Sequence, residues 1–439
     1  MECINLKIKE LKIEKLHDYI DYDINFNSDV TFLYGDNGCG KTTVLNIITS
    51  IITGKVYELF KFQFSSIALK YLSPQKLFRS IKLSKNEEKR TITINYNNTN
   101  HTIDIQKIRL SIDQIDEIHE VERFYFNEYP FLMDIRNEFS YIFLPLNRNG
   151  SINNEENNFF RRRLHRPNAR PTFYSDISLS DVSMLVKDSY NRINFTLSKI
   201  NENLSENLLK SFLDVDHIAN AHQLLAYAYK LSPNEIKKIK ADYTDVLKII
   251  KKWDSTTEEK ITEFFNSLLS DMDNQKNGSD WSIEILFKLS ELIKITNIIA
   301  KAEEVEKSKD RTLEPLSNFL SAVNKFINTK TSQKEISIDS EGQIFLKTSY
   351  KNRIDLQELS SGEKQIVTFF AYLIFGLRDT NQSLFIVDEP ELSLHLQWQR
   401  QFVDTILELN PDIQLIFATH APEIIGKHLD KAVKLIPNY

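Results

Sequence analysis

The spacing of apolar residues changes sharply within the first fifty positions of the chain. Apolar and polar residues alternate over Asn5–Ile13 and again over Ile20–Phe26, and Val30–Tyr34 is a short, mostly apolar run. Alternation is typical of half-buried strands, whereas a short apolar run is typical of a buried strand. The run enters a glycine-rich segment, and Val44–Ile52 then carries the apolar pattern of a helix. The predicted order is three strands, a glycine loop and a helix.

Two further strand signals precede a change in composition. Thr91–Tyr96 and His101–Ile105 alternate on either side of Asn97–Asn100, a turn-forming cluster, so they predict a β-hairpin. Tyr141–Pro145 is an apolar segment that predicts a buried strand ending at the proline. Residues 147–172 are rich in Asn and Arg and poor in aliphatic side chains, which predicts a mobile loop.

The middle of the chain has a helical pattern. From about residue 176 to 328, apolar residues recur three and four positions apart, and Asp254 opens a segment with helix-capping residues. No catalytic signature and no long heptad repeat occur there. We therefore expect an inserted, mostly helical domain over residues 151–333, between an N-terminal part of residues 1–150 and a C-terminal part of residues 334–439.

The strand pattern returns after the helical region. Glu335–Asp339 and Gln343–Lys347 flank a turn, and a long apolar helix is expected up to about residue 377. Leu384–Val387 and Ile413–Ala418 are buried-strand candidates with a helix between them. Apolar runs that alternate with helices predict an α/β fold with a parallel sheet covered by helices on both faces. That sheet would be assembled from both ends of the sequence.

Composition narrows the class of protein. The chain has 439 residues, of which 41% are hydrophobic, and no apolar run reaches the roughly 18 residues that a membrane span needs. The N-terminus lacks the pattern of a signal peptide, and the two cysteines form neither a disulfide framework nor a CxxC zinc site. A cytoplasmic bacterial or archaeal protein is expected. The net charge of −6 neither requires nor forbids a DNA partner.

The glycine loop has the spacing Gly-x4-Gly-Lys-Thr, from Gly35 to Thr42, which is suited to holding phosphate. Glycines let backbone N–H groups turn toward a phosphate, and the following helix directs its positive end at it. Lys41 would then bridge the β- and γ-phosphates of a nucleotide, and Thr42 would bind Mg²⁺. The predicted nucleotide-binding residues of this loop are Asn37, Gly38, Gly40, Lys41, Thr42 and Thr43.

An acidic pair, Asp388 and Glu389, ends the apolar strand Leu384–Val387. Alone, such a pair would be an ordinary solvated strand end. After a phosphate loop it predicts catalysis, because Asp388 can hold the Mg²⁺ shell and Glu389 can polarise a water molecule for in-line attack on the γ-phosphate.

Two more segments become candidate motifs because of their positions relative to the glycine loop and the acidic pair. Leu359–Gln365 could simply cap the next helix, but in this position it resembles the LSGGQ signature of ABC ATPases, with Glu363 where glutamine is commonest. Thr419 and His420 end the last predicted strand and resemble the switch histidine of the same superfamily. Together the four motifs resemble those of ABC-type P-loop ATPases of the SMC, RecF and OLD group, over roughly residues 1–145 and 334–437.

The resemblance implies specific partners and roles. In that family the signature of one subunit completes the ATP site of another, so the functional unit is expected to be a homodimer or a higher homo-oligomer with ATP and Mg²⁺ at its interface. Ser361, Gly362 and Glu363 would contact the nucleotide across this interface. His420 would hydrogen-bond the γ-phosphate and act with Glu389 in catalysis.

The segments Asp388–Gln399 and Ala418–Ile425 resemble anti-phage defence ATPases such as PtuA of Septu and AriA of PARIS. Only 19 residues follow His420, and no TOPRIM, HNH or cysteine-hook motif is evident, so a separate effector protein, expected to be a nuclease, is implied. The Q-loop glutamine of the family is not evident, and Asn147 or Arg148 could take its place.

Two other features each leave two interpretations open. The basic cluster Arg161–Arg166, with Arg170 beyond it, could grip phosphate or be a solvated loop. Cys39 lies in the phosphate loop, where it could either fill space or confer redox sensitivity.

Three functions compete on this sequence. The leading one is a defence-system ATPase that controls an effector, and the alternative is a RecF-like or SMC-like ATPase that binds DNA during repair or chromosome maintenance. A transporter subunit fits poorly, because more than 300 residues separate the phosphate loop from the signature.

Overall fold

A computed structural model describes residues 6–104, 125–139, 141–145, 179–213, 221–249, 254–276, 282–329, 333–376 and 384–436. The chain divides into two compact units, one drawn from Met1–Ser189 and Ser317–Tyr439 and the other from Tyr190–Leu316. The Q-loop candidates Asn147 and Arg148, the loop predicted over 147–172 and its arginine cluster lie outside the described residues.

The centre of the first unit is a parallel sheet of five strands drawn from both ends of the chain. Every residue of its central strand is buried, which explains why that segment is apolar without alternation. The sheet takes strands from the N-terminal and the C-terminal parts of the chain, and this confirms the predicted α/β, ABC-type P-loop fold. In spatial order the strands are β13 (Ala432–Lys434), β3 (Val30–Tyr34), β12 (Gln414–Thr419), β11 (Leu384–Asp388) and β8 (Tyr141–Pro145).

Helices pack on both faces of the parallel sheet, as predicted. Ile386 of β11 shares a core with the helix that follows the glycine loop. Its neighbour Phe385 points the other way and contacts Phe369 with ring centroids 5.0 Å apart. Alternate residues of one strand thus serve two different cores. The helices of this unit include α1 (Lys41–Ile52), α2 (Phe131–Glu138), α8 (Ser361–Ala371), which continues as a π-helical turn (Tyr372–Gly376), α9 (Leu396–Leu409) and α10 (Pro422–Ile425).

A second sheet, antiparallel and six-stranded, packs against the other side of α1 through the same core. The sequence had not led us to expect this sheet, although Ile67, Leu69 and Tyr71 alternate as buried residues in one of its unassigned strands. The strands in spatial order are β2 (Ile20–Asn25), β1 (Lys7–Leu16), β4 (Ser66–Leu72), β5 (Phe78–Asn86), β6 (Thr91–Tyr96) and β7 (Thr99–Asp104). A separate two-stranded ribbon joins β9 (Glu335–Ile338) to β10 (Ile344–Lys347).

The hairpin of β6 and β7 is tighter than predicted. Tyr96 pairs directly with Thr99, so only Asn97 and Asn98 form the turn, with φ angles of 49° and 62°. Two successive positive φ angles define a type I′ turn, and asparagine tolerates that conformation better than most residues. The prediction of a four-residue turn ending at Asn100 was wrong for this reason.

The buried amide of Gln414 joins the two large sheets. Its Nε2 donates to the carbonyl oxygens of Ile8 and Asn27 at 2.8 and 2.7 Å, and its Oε1 accepts from the Ile8 backbone N–H at 2.8 Å. Gln414 itself is fully buried. A buried amide is stable only when its donors and acceptor find partners, and here they do. The start of β1 is thereby fixed to the start of β12.

The described residues between β8 and β9 are mostly helical. Asp254 caps one of them by accepting from the Thr257 backbone N–H at 2.7 Å, as the sequence predicted. Phe265, Leu268 and Leu289 are fully buried in the core of the second unit. None of the helices in the described ranges has the length and apolar character needed to cross a bilayer. These helices are α3 (Leu179–Leu213), α4 (Ala221–Ala228), α5 (Pro233–Ile249), α6 (Ser255–Lys276) and α7 (Ile283–Ile327).

Candidate active site

The glycine loop joins the end of β3 to the first residue of α1. Gly40, immediately before the helix, has φ 83°, and a Cβ placed on it would lie 2.7 Å from the hydroxyl oxygen of Tyr22. That hydroxyl donates to the carbonyl oxygen of Cys39 at 2.7 Å. Position 40 therefore needs glycine for both its backbone conformation and its close contact. Of the predicted phosphate ligands here, Asn37, Gly38 and Thr42 are exposed and Thr43 is half-buried.

The Lys41 side chain lies inside the loop that it follows. Its ammonium donates to the carbonyl oxygens of Gly35 and Asp36 at 2.9 and 3.0 Å, and the residue is only 5% exposed. The Cys39 sulfur is 3.7 Å from the same nitrogen and packs against the Gly35 backbone. Carbonyl dipoles solvate a buried ammonium but do not neutralise its charge. An anionic phosphate is therefore the ligand that this loop favours.

Asp388 and Thr42 meet at the edge of the parallel sheet. The Thr42 hydroxyl donates to Oδ2 of Asp388 at 3.0 Å. The other carboxylate oxygen, Oδ1, is buried and has no hydrogen-bond partner. Burial raises the pKa of Asp388 to about 6; the carboxylates of Glu389 and Glu391 add to this, while the Thr42 hydroxyl and Lys41 oppose it. A buried, unpartnered carboxylate oxygen beside a hydroxyl fits Mg²⁺, which binds hard oxygen ligands.

Glu389 and His420 face each other from adjacent strand ends. Glu389 has φ 50°, a left-handed conformation, and its backbone N–H donates to the Ala418 carbonyl oxygen at 2.8 Å. The distance from His420 Nε2 to Glu389 Oε1 is 3.6 Å. The His420 backbone N–H donates to Oε1 of Glu391 at 2.7 Å. The structure thus brings the predicted catalytic pair together, next to the Asp388 carboxylate.

The start of α8 shows how the signature segment folds. Ser360 and Glu363 form a reciprocal capping box: Oγ of Ser360 accepts from the Glu363 N–H at 3.3 Å, and Oε2 of Glu363 accepts from the Ser360 N–H at 2.8 Å. The remaining Glu363 oxygen pairs with Lys334 at 2.8 Å. Although burial raises it, the pKa of Glu363 is held below its usual value by Lys334 and Ser360. Helix capping, the simpler interpretation of this segment, is thus observed.

The same helix rests on the loop after Glu389. A Cβ at Gly362 would lie 2.4 Å from the Ser393 carbonyl oxygen, so only glycine fits there. The Gln365 amide donates to the Pro390 carbonyl oxygen at 2.9 Å. Ser361 is exposed at the first turn of the helix. The contacts of Gly362 and Glu363 run to this loop and to Lys334, and contact of Ser361, Gly362 and Glu363 with a nucleotide stays a prediction.

Three residues that the motif analysis missed shape the site. Tyr22 lies under the glycine loop, Gln365 holds the Pro390 carbonyl, and Glu391 holds the His420 backbone. Glu391 lies in the motif segment Asp388–Gln399 and Gln365 in the segment Leu359–Gln365. Their closeness in sequence to predicted site residues could therefore have indicated both. Tyr22 belongs to a strand of the second sheet, and nothing local in the sequence signals its contact.

Comparisons with known proteins identify the family of the chain. The profile of the AAA ATPase domain family, AAA_15, matches residues 6–425. The "Retron Vc95 probable ATPase" of Vibrio cholerae serotype O1 biovar El Tor is 22% identical over 98% of this chain and 74% of its own length. RecF, the "DNA replication and repair protein" of Desulfitobacterium hafniense strain DSM 10664 / DCB-2, is 36% identical over 58 residues, which are 13% of this chain and 16% of RecF.

Solved structures similar to this chain include heads of Smc proteins. The Smc head domain with an extended coiled coil, bound to the C-terminal domain of ScpA and derived from Pyrococcus furiosus, is 14% identical with a TM-score of 0.45, over 99% of this chain and 94% of that one. The Smc head domain with a coiled coil and joint from Pyrococcus yayanosii is 14% identical with a TM-score of 0.42, over 98% and 95%.

Proposed function

Because the chain belongs to the AAA ATPase domain family, we propose that the site between β3, β11 and β12 binds ATP with Mg²⁺ and hydrolyses it to ADP and phosphate. The observation that carries this proposal is the meeting of Lys41, Thr42, Asp388, Glu389 and His420 at one edge of the parallel sheet. No single pattern in the sequence requires these side chains to converge, and their convergence is what phosphoryl transfer to water needs.

Each side chain has a role set by its position. The exposed backbone of Asn37 and Gly38 and the N-terminus of α1 receive the phosphates, and Lys41 leaves its carbonyl partners to bind the β- and γ-phosphates. Thr42 and Asp388 would hold Mg²⁺, which supplies charge neutralisation of the phosphate oxygens. Glu389 orients and deprotonates the attacking water, and His420 hydrogen-bonds the γ-phosphate.

Ser361, the exposed first residue of α8, is available to a second copy of the chain. We place Ser361 and Gly362 of that copy against the γ-phosphate, so that ATP is enclosed in a homodimer. Because Glu363 is engaged by Lys334 and Ser360, its part is to fix the helix start. The positive end of a helix favours a phosphate anion. Glu389→Gln, which would hold ATP unhydrolysed, is the variant in which this dimer should accumulate.

We further propose that the ATPase serves a cytoplasmic anti-phage defence complex, as a sensor or scaffold that controls a separate effector. The relative that spans 98% of this chain is the probable ATPase of a retron. The segments around Asp388 and His420 also resemble defence ATPases of the Septu and PARIS type. Both supports point to an ATPase whose output lies in another protein, for which a nuclease is the expected chemistry.

Purification from the native operon tests this role. A tagged protein, isolated with ATP and Mg²⁺, should carry a stoichiometric nuclease or toxin, and a Lys41→Ala variant should alter the amount of that partner. Wild-type protein that elutes without a partner, and whose ATPase rate rises on addition of DNA, would contradict it. That result would favour the second candidate, a RecF-like DNA-binding ATPase, which the 58-residue match to RecF supports.

A further inference from the structure

Glu391 is fixed in place on both its backbone and its side chain. Its carbonyl oxygen accepts from the Leu394 backbone N–H at 3.0 Å and lies 3.4 Å from Nε2 of Gln399, which also donates to the Leu394 carbonyl oxygen at 3.0 Å. Its carboxylate oxygen Oε1 accepts from the His420 N–H at 2.7 Å. A side chain so held can determine where its partner backbone lies.

His420 stands just after the end of β12. Thr419 is the last residue of that strand, where it pairs with Tyr34 of β3, so the sheet no longer fixes the next peptide. The hydrogen bond from the His420 N–H to Glu391 replaces the sheet at this point. This bond holds the backbone of His420, and the imidazole of the same residue lies 3.6 Å from the Glu389 carboxylate. The position of the ring therefore depends on this bond.

We propose that Glu391 is a positioning residue for ATP hydrolysis, which acts by holding the His420 backbone so that the imidazole faces Glu389 and the γ-phosphate. This proposal rests on the proposed function of the site. The observed contact of its carboxylate is with the His420 backbone, and the second carboxylate oxygen is buried without a partner. The proposed action on His420 depends on the reach of the acceptor oxygen.

Two conservative substitutions separate the reach of the Glu391 acceptor oxygen from the charge of the side chain. Glu391→Gln keeps an acceptor oxygen at the same distance along the side chain and removes the charge. Glu391→Asp keeps the charge and withdraws the acceptor by one methylene. We expect Glu391→Gln to keep kcat within about threefold of wild type, and Glu391→Asp to lower kcat by on the order of 10²-fold with little change in ATP affinity, because a misplacement of about 1 Å costs that much. Glu341→Gln, in an exposed turn, is the matched control.

A double-variant cycle with His420→Ala identifies the group through which Glu391 acts. If it acts through His420, Glu391→Asp should lower kcat no further once the imidazole is absent. The proposal is overturned if Glu391→Asp hydrolyses ATP at the wild-type rate, if Glu391→Gln loses as much as Glu391→Asp, or if the two losses multiply in the double variant. Wild-type protein that hydrolyses no ATP would instead overturn the proposed function and this inference with it.

Discussion

The hydroxyl of Thr42 donates to Oδ2 of Asp388 at 3.0 Å, although 346 positions separate the two residues. One residue lies in the first turn of α1 and the other at the end of β11. They meet because β3 and β11 both pair with β12 in parallel, so their carboxyl ends lie at the same edge of the sheet. This contact joins the phosphate loop to the acidic strand end.

Loss of the Thr42 hydroxyl should uncouple ATP binding from Mg²⁺. Thr42→Val keeps the branched shape but removes the proposed metal ligand and the hydrogen bond to Asp388. We therefore expect Mg²⁺ to lose most of its effect on ATP affinity. Titration of ATP by calorimetry, with Mg²⁺ and then with EDTA, measures this effect. Thr93→Val, in a strand of the antiparallel sheet, should behave as wild type. An unchanged Mg²⁺ dependence in Thr42→Val would exclude the assigned role.

Gly40→Ala should destabilise the protein more than Gly38→Ala. Both glycines have positive φ, 83° and 85°, so the backbone cost of a Cβ is similar, about 1–2 kcal/mol. Only at Gly40 would the methyl group also collide with the buried Tyr22 hydroxyl, whereas nothing lies within 4 Å of a Cβ at Gly38. Thermal unfolding without nucleotide compares the two variants. Because Tyr22→Phe also removes the hydrogen bond to Cys39, the test is a cycle: Gly40→Ala should cost less stability in the Tyr22→Phe background than in wild type. An equal cost in the two backgrounds would show that this collision is not the cause.

Replacement of Gln414 should weaken the joint between the two sheets. Gln414→Leu leaves the Ile8 N–H and the Ile8 and Asn27 carbonyl oxygens without their partner in a buried place. The expected loss in the free energy of unfolding is at least about 3 kcal/mol, since each of the three groups left unpaired costs about 1–3 kcal/mol. Urea unfolding measures it, with the exposed Gln75→Leu as control. Equal stability of the two variants would mean that water replaces the amide.

Local patterns were enough to predict which residues meet at the site, but not the residues that support them. The glycine spacing before Lys41 and the acids after an apolar strand are short-range signals, because a phosphate loop and a strand end each use adjacent residues. The short strand β13 (Ala432–Lys434) was not predicted, because three residues are too few to show a hydrophobic period. Contacts such as Tyr22 with Cys39 or Gln414 with Ile8 depend on how the sheets stack, and sequence neighbours carry no information about that.

The proposed role of Glu389 is that of the general base for the attacking water. A single-turnover assay of Glu389→Gln with radiolabelled ATP tests this role directly. The amide keeps the size of the side chain but cannot accept the proton of the attacking water, so Glu389→Gln should bind ATP with Mg²⁺ as tightly as wild type and release phosphate at least 10²-fold more slowly, in the range typical of general-base loss. ATP should then be recovered intact from the bound fraction. Phosphate release at the wild-type rate would contradict the assignment of Glu389 as the base.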